Sequence, residues 1–398
     1  MMPISEKIRS IAPSPTLAID EKVKAMQADG VDVIGFGAGQ PDFDTPEHIK
    51  EAAIKAIRDG FTKYTPASGI KELKEAVCSK LLKDNALEYT PANIVISNGA
   101  KQCLVNALMA ICNPGDEVIL PTPYWVSYPE MIKLADGVPV LLPTTEESHF
   151  KFTVEELEQK VTDRTRAVII NSPSNPTGML YSHAELKKIG ELAVKKGFYI
   201  ISDEIYEKLI YEGVKHVSIA AISDEIKDHT ILVNGLSKSH SMTGWRIGYT
   251  ASNATVAKAM ANLQSHATSN PNSIAQKAAV AALNGPQDCV EMMRATFEER
   301  RNYMVERINQ MEGLSCKKPA GAFYVMMNVS ALFGQELYGY QIQDSNDFCE
   351  ALLEVAKVAV VSGVGFAADG FVRLSYATSM ENIEKGLDRI ERFVKKEF

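Results

Sequence analysis

Six cysteines are spread over 398 residues, and no two of them form a CxxC pair. That sparseness excludes a disulfide-stapled scaffold, which needs a denser framework in a shorter chain. Cys78, Cys103, Cys112, Cys289, Cys316 and Cys349 mostly lie in apolar, helix-like surroundings, where a free thiol packs as a small hydrophobe. No apolar run reaches the roughly 18 residues that a membrane span requires. Met1 to Ser10 carries charges without an apolar segment, so no secretory leader is expected. Positive charge is in deficit: 42 Lys and Arg against 50 Asp and Glu leave a net charge of −8. Nucleic acid and anionic membranes are therefore unexpected partners, and an anionic ligand must be met by local positive charge. Repeats and low-complexity tracts are missing too. These absences together point to a reducing, cytoplasmic compartment.

What is present reads as an ordinary soluble globular chain, 45% hydrophobic and 23% charged. Its length suggests two domains, at roughly 100–200 residues each. Residues 1–30 read as an arm, kept extended at first by Pro3, Pro13 and Pro15, and a short helix. Val31 to Phe36 reads as a strand running into Gly35-Phe-Gly-Ala-Gly39. That glycine run is a weak dinucleotide signal, because the acid expected about 20 residues on, Asp59, falls in a helix. Helices are expected at 46–59 and 70–83. From residue 93, short β-branched runs alternate with helical stretches. Strands are expected at 94–97, 117–120, 138–142, 167–171, 199–202, 231–233 and 247–250, and helices at 125–134, 153–160, 183–196 and 216–222. The alternation predicts an α/β fold with a mostly parallel seven-stranded sheet flanked by helices, which binds ligands at the C-terminal strand ends. From about 287 the texture changes to a long charged helix, with Glu298-Glu-Arg-Arg301 on its solvated side, followed by strands and helices of a smaller α+β domain. The division expected is 1–45 as N-terminal arm and part of the small domain, 46–286 as the large domain and 287–398 as the small C-terminal domain, the two ends of the chain packing together.

Polar residues stand out where apolar strands stop. Lys238 follows the run Ile231-Leu-Val233 and the turn-forming Asn234-Gly235, in small and polar company, and Arg246 precedes the next apolar run. A lysine between two buried strands is either a surface decoration or an amine of lowered pKa, nucleophilic toward aldehydes. Asp203 ends the run Phe198-Tyr-Ile-Ile-Ser202 and serves either as a helix cap or as an anion at the mouth of the sheet. Tyr206 follows one turn later. Asn175, in Asn171-Ser-Pro-Ser-Asn-Pro-Thr-Gly178, fits a turn as well as a site. Asn98-Gly99-Ala100-Lys101 links a strand to a helix and offers free backbone N–H groups to an anion. Arg373 sits inside the apolar strand Phe371-Val-Arg-Leu-Ser-Tyr376. It either pairs with a buried protein carboxylate or binds a substrate carboxylate bidentately. Together the set is complementary to pyridoxal phosphate plus an amino acid.

With these residues in view, the chain resembles from end to end the fold type I, class I pyridoxal phosphate aminotransferases, and most of all the bacterial 1-beta aspartate aminotransferases. Gly235-Leu-Ser-Lys238-Ser-His-Ser-Met-Thr-Gly-Trp-Arg246-Ile-Gly248 matches the family's cofactor-lysine motif. Gly39-Gln-Pro-Asp-Phe, Lys63-Tyr-Thr-Pro-Ala-Ser-Gly, Pro121-Thr-Pro-Tyr-Trp, Ser202-Asp-Glu-Ile-Tyr and Val372-Arg-Leu-Ser match further landmarks in order. The resemblance implies transamination between L-aspartate and 2-oxoglutarate, giving oxaloacetate and L-glutamate, with pyridoxal 5'-phosphate as cofactor. It implies that Lys238 is the Schiff-base lysine and moves the substrate proton, that Asp203 pairs with the ring nitrogen, and that Tyr206 and Asn175 contact the ring oxygen. Trp125, or else its neighbour Tyr124, would stack on the ring. Gly99, Ala100, Lys101, Ser237 and Arg246 would seat the phosphate, joined by Tyr64 from a neighbouring subunit, so a homodimer with shared sites is implied. Arg373, Asn175 and the Gly39 backbone would hold the α-carboxylate. Lys101 would read the distal carboxylate, a task that other aspartate aminotransferases give to an arginine where this chain has Ser265; otherwise Lys101 is an exposed first-turn residue. Many relatives have serine at the position of Gly235, a hydroxyl absent here. Some members also accept prephenate and have a basic residue where this chain has Ala12. Aromatic, kynurenine and alanine aminotransferases share the fold and remain alternatives.

Overall fold

A computed structural model describes residues 4–398. Residues 1–3 of the expected arm, Pro3 among them, lie outside the described residues. Seven strands form the main sheet in the order Ile94–Ser97, Gly248–Ala251, Thr230–Gly235, Tyr199–Asp203, Thr165–Asn171, Glu117–Pro121, Val138–Leu142. Neighbours from Thr230–Gly235 to Val138–Leu142 run parallel, and only Gly248–Ala251 opposes its two neighbours. The central strands are apolar on both faces because helices cover both. Ile231, Leu232 and Val233 are all fully buried, whereas Val138 and Leu141 on the edge strand are 46% and 41% exposed.

Helix limits follow local chemistry. His183–Lys196 starts at a capping box in which the Ser182 hydroxyl accepts from the Glu185 N–H and the Glu185 carboxylate accepts in return from the Ser182 N–H. It stops at Gly197, whose φ of +76° closes the last turn. Several expectations need correction. The stretch 216–222 contains only a single tight turn, Ile219–Ala221, and the helix is Asp224–His229, because Ser223 caps it by accepting from the Ile226 N–H. The helix expected from 125 starts at Tyr128, with Pro129 in its first turn. Two further helices, Ala254–Ala267 and Ser273–Asn284, cover the sheet. At the N-terminus Glu6–Arg9 forms one helical turn, and Pro15 opens the helix Pro15–Ala28 instead of extending the chain.

Beyond residue 287 the helix Asp288–Gln310 packs on a four-stranded antiparallel sheet, ordered Val361–Ser362, Phe371–Ser375, Tyr324–Asn328, Ser315–Cys316. Its motif Glu298-Glu-Arg-Arg301 is not uniformly solvated. Arg301 is fully buried, donating to the Pro319 carbonyl at 2.6 Å and lying 4.8 Å from the Tyr211 ring centroid. Ile34–Gly35 pairs in parallel with Val358–Ala359 in a separate two-stranded sheet, tying the N-terminal segment to the C-terminal part of the chain. The glycine run after it therefore opens no helix and forms no phosphate turn of the dinucleotide type. All six cysteines are free. Among the described residues no helix is long and apolar enough to cross a membrane.

Candidate active site

The parallel strands stop at one edge of the main sheet, and the loops beyond them line a cleft of about 750 Å³. Asp203 is the last residue of its strand and pairs with Asn171, the last residue of the next. Its carboxylate is buried, accepting from the Tyr128 hydroxyl at 2.7 Å and the Ile205 N–H at 3.2 Å. Loss of water outweighs these bonds and pushes the carboxyl up to about 6, with Glu204 adding to the rise. Such a group gains from a cationic partner.

Lys238, on the loop after Thr230–Gly235, donates from Nζ to the Gly39 carbonyl at 2.5 Å. Burial, then the nearby Arg246 and Arg373 charges, bring its ammonium down to about 8. Roughly a tenth of it is therefore free amine at neutral pH.

An anion seat lies beside it. The helix Gly99–Ile111 starts directly after the strand Ile94–Ser97, so its first N–H groups face the cleft edge. Arg246 crosses this turn, donating to the carbonyls of Asn98 at 3.1 Å and Thr243 at 3.0 Å. Two glycines permit that approach. A Cβ on Gly99, whose φ is +81°, would lie 2.1 Å from Arg246 Nη2, and one on Gly248 would lie 2.3 Å from the Ala100 nitrogen. Ala100, Lys101, Ser237 and Arg246 line the cleft, while Gly99 stands just behind it. Gly235 does not line it either; a Cβ there would meet the Ile247 carbonyl at 2.9 Å. Ser237 supplies the hydroxyl on this wall.

Arg373 forms the opposite wall. It is 1% exposed, donates to Asn175 Oδ1 at 3.0 Å and to the Gly37 carbonyl at 2.9 Å, and lies 4.3 Å from the Tyr324 ring centroid. Its Nε has no partner, and among the described residues no carboxylate pairs with it. Burial accordingly lowers its basicity. Of the two readings the sequence left open, pairing with a protein carboxylate is absent. Tyr206 also faces the cleft, its hydroxyl 3.1 Å from that of Tyr324. Lys101 donates to Ser127 Oγ at 3.2 Å and sits 4.9 Å from the centroid of Trp125.

The cleft thus gathers Gly39, Ala100, Lys101, Trp125, Asn175, Asp203, Tyr206, Ser237, Lys238, Arg246 and Arg373 from segments far apart in sequence. Tyr124 lines a separate, smaller cavity. Tyr64 lies outside the cleft and is 90% exposed. Ser265 and Ala12 are exposed and outside it as well. Sequence reasoning missed Tyr128, Ser127 and Tyr324. Tyr128 carried a usable signal: it stands one helical turn after Trp125, as Tyr206 stands one turn after Asp203. The donor set fits a flat, phosphorylated pyridine aldehyde: an amine on the floor, a buried carboxylate seeking a cation, and an anion seat at one end.

The family profile for aminotransferase class I and II matches residues 31–390. The aspartate aminotransferase of Geobacillus stearothermophilus is 54% identical, with 99% of each chain covered. A probable aspartate/prephenate aminotransferase of Aquifex aeolicus is 50% identical, with 98% of each covered. Among solved structures, the aspartate aminotransferase of Rhizobium meliloti superposes with a TM-score of 0.96 at 44% identity, covering 99% of each chain. That of Thermus thermophilus with maleate gives 0.93 at 44% identity, covering 99% of this chain and all of the other.

Proposed function

This chain belongs to the class I and II aminotransferases, and from that premise we propose that it is an aspartate aminotransferase, exchanging the amino group between L-aspartate and 2-oxoglutarate with pyridoxal phosphate as cofactor. The observation that carries the reading is the buried Arg373 guanidinium, unpaired by any described carboxylate, across the cleft from the Lys238 amine. A buried cation of this kind is complementary to the carboxylate that every α-amino acid carries. Bound pyridoxal phosphate supplies an aldehyde that condenses with amines and a ring that accepts the electron pair left when the Cα proton departs. Asp203 holds a protonated ring nitrogen, which relieves its raised carboxyl. Tyr206 and Asn175 donate toward the ring oxygen, and Trp125 covers the ring face. Ala100, Ser237, Arg246 and the helix start at Gly99 bind the phosphate.

Arg373 and Asn175 orient the α-carboxylate so that the Cα–H bond faces Lys238. With cofactor and substrate bound, the Lys238 amine would take the Cα proton at Nζ and hold it for return. Lys101, at the cleft mouth beside Ser127, binds the distal carboxylate and so favours four- and five-carbon diacids. The maleate named with the Thermus thermophilus relative is a diacid of that size. Tyr64, fully outward and outside its own cleft, serves the phosphate of a second copy in a homodimer. The residue ranges 46–286 and 287–398 act as large and small domains about the cleft.

The test is a half-reaction screen. The chain loaded with pyridoxal phosphate is mixed with single amino acids, and loss of the cofactor's visible absorbance is followed. Aspartate and glutamate should react fastest, and Lys238→Ala should lose nearly all turnover. Faster reaction with alanine, kynurenine or aromatic amino acids would reject the aspartate reading. A prephenate arm decides the dual activity that the Aquifex aeolicus relative is named for.

A further inference from the structure

The segment Asp203-Glu-Ile-Tyr-Glu207 has two sides. Asp203 and Tyr206 line the cleft, whereas Glu204 and Glu207 point into a buried polar layer behind it. Glu204 is 1% exposed. Its Oε1 accepts from the Ser202 and Ser218 hydroxyls at 2.9 and 2.7 Å, and its Oε2 lies 2.8 Å from His216 Nε2. Glu207 is ion-paired with Lys80 and accepts from Asn85 Nδ2 at 3.0 Å. The Glu204 N–H is itself fixed, donating to the Val233 carbonyl at 2.9 Å.

Glu204, Glu207 and His216 place ligand atoms within 4.8 Å of one another, as a metal site would. A metal has no vacancy there, because the Lys80 ammonium already lies on Glu207 and both oxygens of Glu204 have partners. The layer balances its own charge instead. Glu204 and Glu207 contribute two negative charges and Lys80 one positive; burial works against the His216 imidazolium, but the Glu204 carboxylate against it raises its basicity overall, and once protonated it supplies the second positive charge. Asp84, on the helix Lys71–Asn85, is offset by Lys208 at 2.8 Å. Also packed here are the phenols of Tyr89 and Tyr249, which burial and these carboxylates keep neutral, and His240, whose imidazole burial brings down to about 4.

We propose that Glu204 and His216 are positioning residues of the cofactor site, an ion pair behind Asp203 that holds the segment 203–207 in place and tunes the charge felt at the cleft. Glu204 adjoins Asp203 in the chain, and its negative charge acts on that carboxyl. The His216 charge offsets it. Removing the two charges must therefore have opposite electrostatic effects at the cleft, whereas mere loss of packing would act in one direction.

The inference rests on the cofactor reading above. The full chain is loaded with pyridoxal phosphate, and the pH midpoint of the cofactor's absorbance change, which reports the proton at the Lys238 nitrogen, is measured. Cofactor affinity is measured beside it. Glu204→Gln removes a negative charge and should lower the midpoint. His216→Gln should raise it, and the double variant should return toward wild type. If Glu204→Gln is not recovered folded, the direction of the His216→Gln shift still decides. Shifts in the same direction, or midpoints unmoved in variants that bind the cofactor normally, would overturn the inference alone. Failure of the wild type to form any cofactor band would overturn the function, and this inference with it.

Discussion

Replacing Arg373 with leucine tests the central claim of the site. The guanidinium makes two bonds to neutral oxygens, from Asn175 and Gly37, and packs on Tyr324; no described carboxylate pairs with it directly, and Asp20 acts on it only at longer range. In the proposed function the substrate α-carboxylate would supply a directly paired anion. A bidentate, charge-assisted pair in a site this dry contributes about 3–5 kcal/mol. At about 1.4 kcal/mol per tenfold, Arg373→Leu should lower kcat/KM by roughly 150- to 4,000-fold. The loss should be nearly the same for aspartate, glutamate and alanine, since each carries the same α-carboxylate. Lysine should not rescue it, because a point charge cannot reproduce the planar fork. Stability should respond differently. Leucine removes the cost of an uncompensated buried charge while forfeiting two hydrogen bonds, so Tm of the cofactor-free protein should stay within about 3 °C of wild type. Steady-state kinetics on the three amino acids and a thermal melt check both halves. A loss below tenfold, or one confined to acidic substrates, would refute the α-carboxylate role. A large fall in Tm would show that the arginine serves the fold.

Three other outcomes follow from the geometry. Lys101→Ala should cut kcat/KM for aspartate by about 10- to 100-fold and leave alanine nearly unchanged, and equal losses in the two assays would remove Lys101 from the distal-carboxylate site. Asp203 has its carboxyl raised from 3.8 to about 6 in the folded, cofactor-free chain, so the folded state binds more protons than the unfolded between those values, and stability from this group is lost as pH rises through that window. Thermal melts of Asp203→Asn should therefore gain on wild type from about pH 4 to 6 and hold that gain above, and a constant offset at all pH would contradict the raised carboxyl. Gly99→Ala would set a Cβ 2.1 Å from Arg246 Nη2 on a backbone with φ of +81°, so cofactor affinity measured by titration should fall at least about tenfold; unchanged affinity would detach this turn from the phosphate.

The central strands of the main sheet were legible because burial on both faces leaves uninterrupted apolar runs, such as Ile231-Leu-Val233. The helix Ser273–Asn284 was not, because its buried face is largely alanine. Ala278, Ala279 and Ala282 are fully buried, yet alanine marks no side of a helix as clearly as leucine does. Arg301 shows a different failure. Phe297, Arg301, Met304 and Ile308 form one buried stripe at helical spacing. The spacing held the answer, and the residue type, in a run of four charges, hid it. The same contrast explains the site. Lys238, Asp203 and Arg373 could be read because each is a charge where burial should forbid one. Their partner Tyr324 could not, because a buried tyrosine is ordinary and its sequence does not say what its hydroxyl meets, and Tyr128 was marked only by its spacing from Trp125. A charge in an apolar setting therefore marks where chemistry occurs, and only the packed structure shows which neutral side chains hold that charge in position.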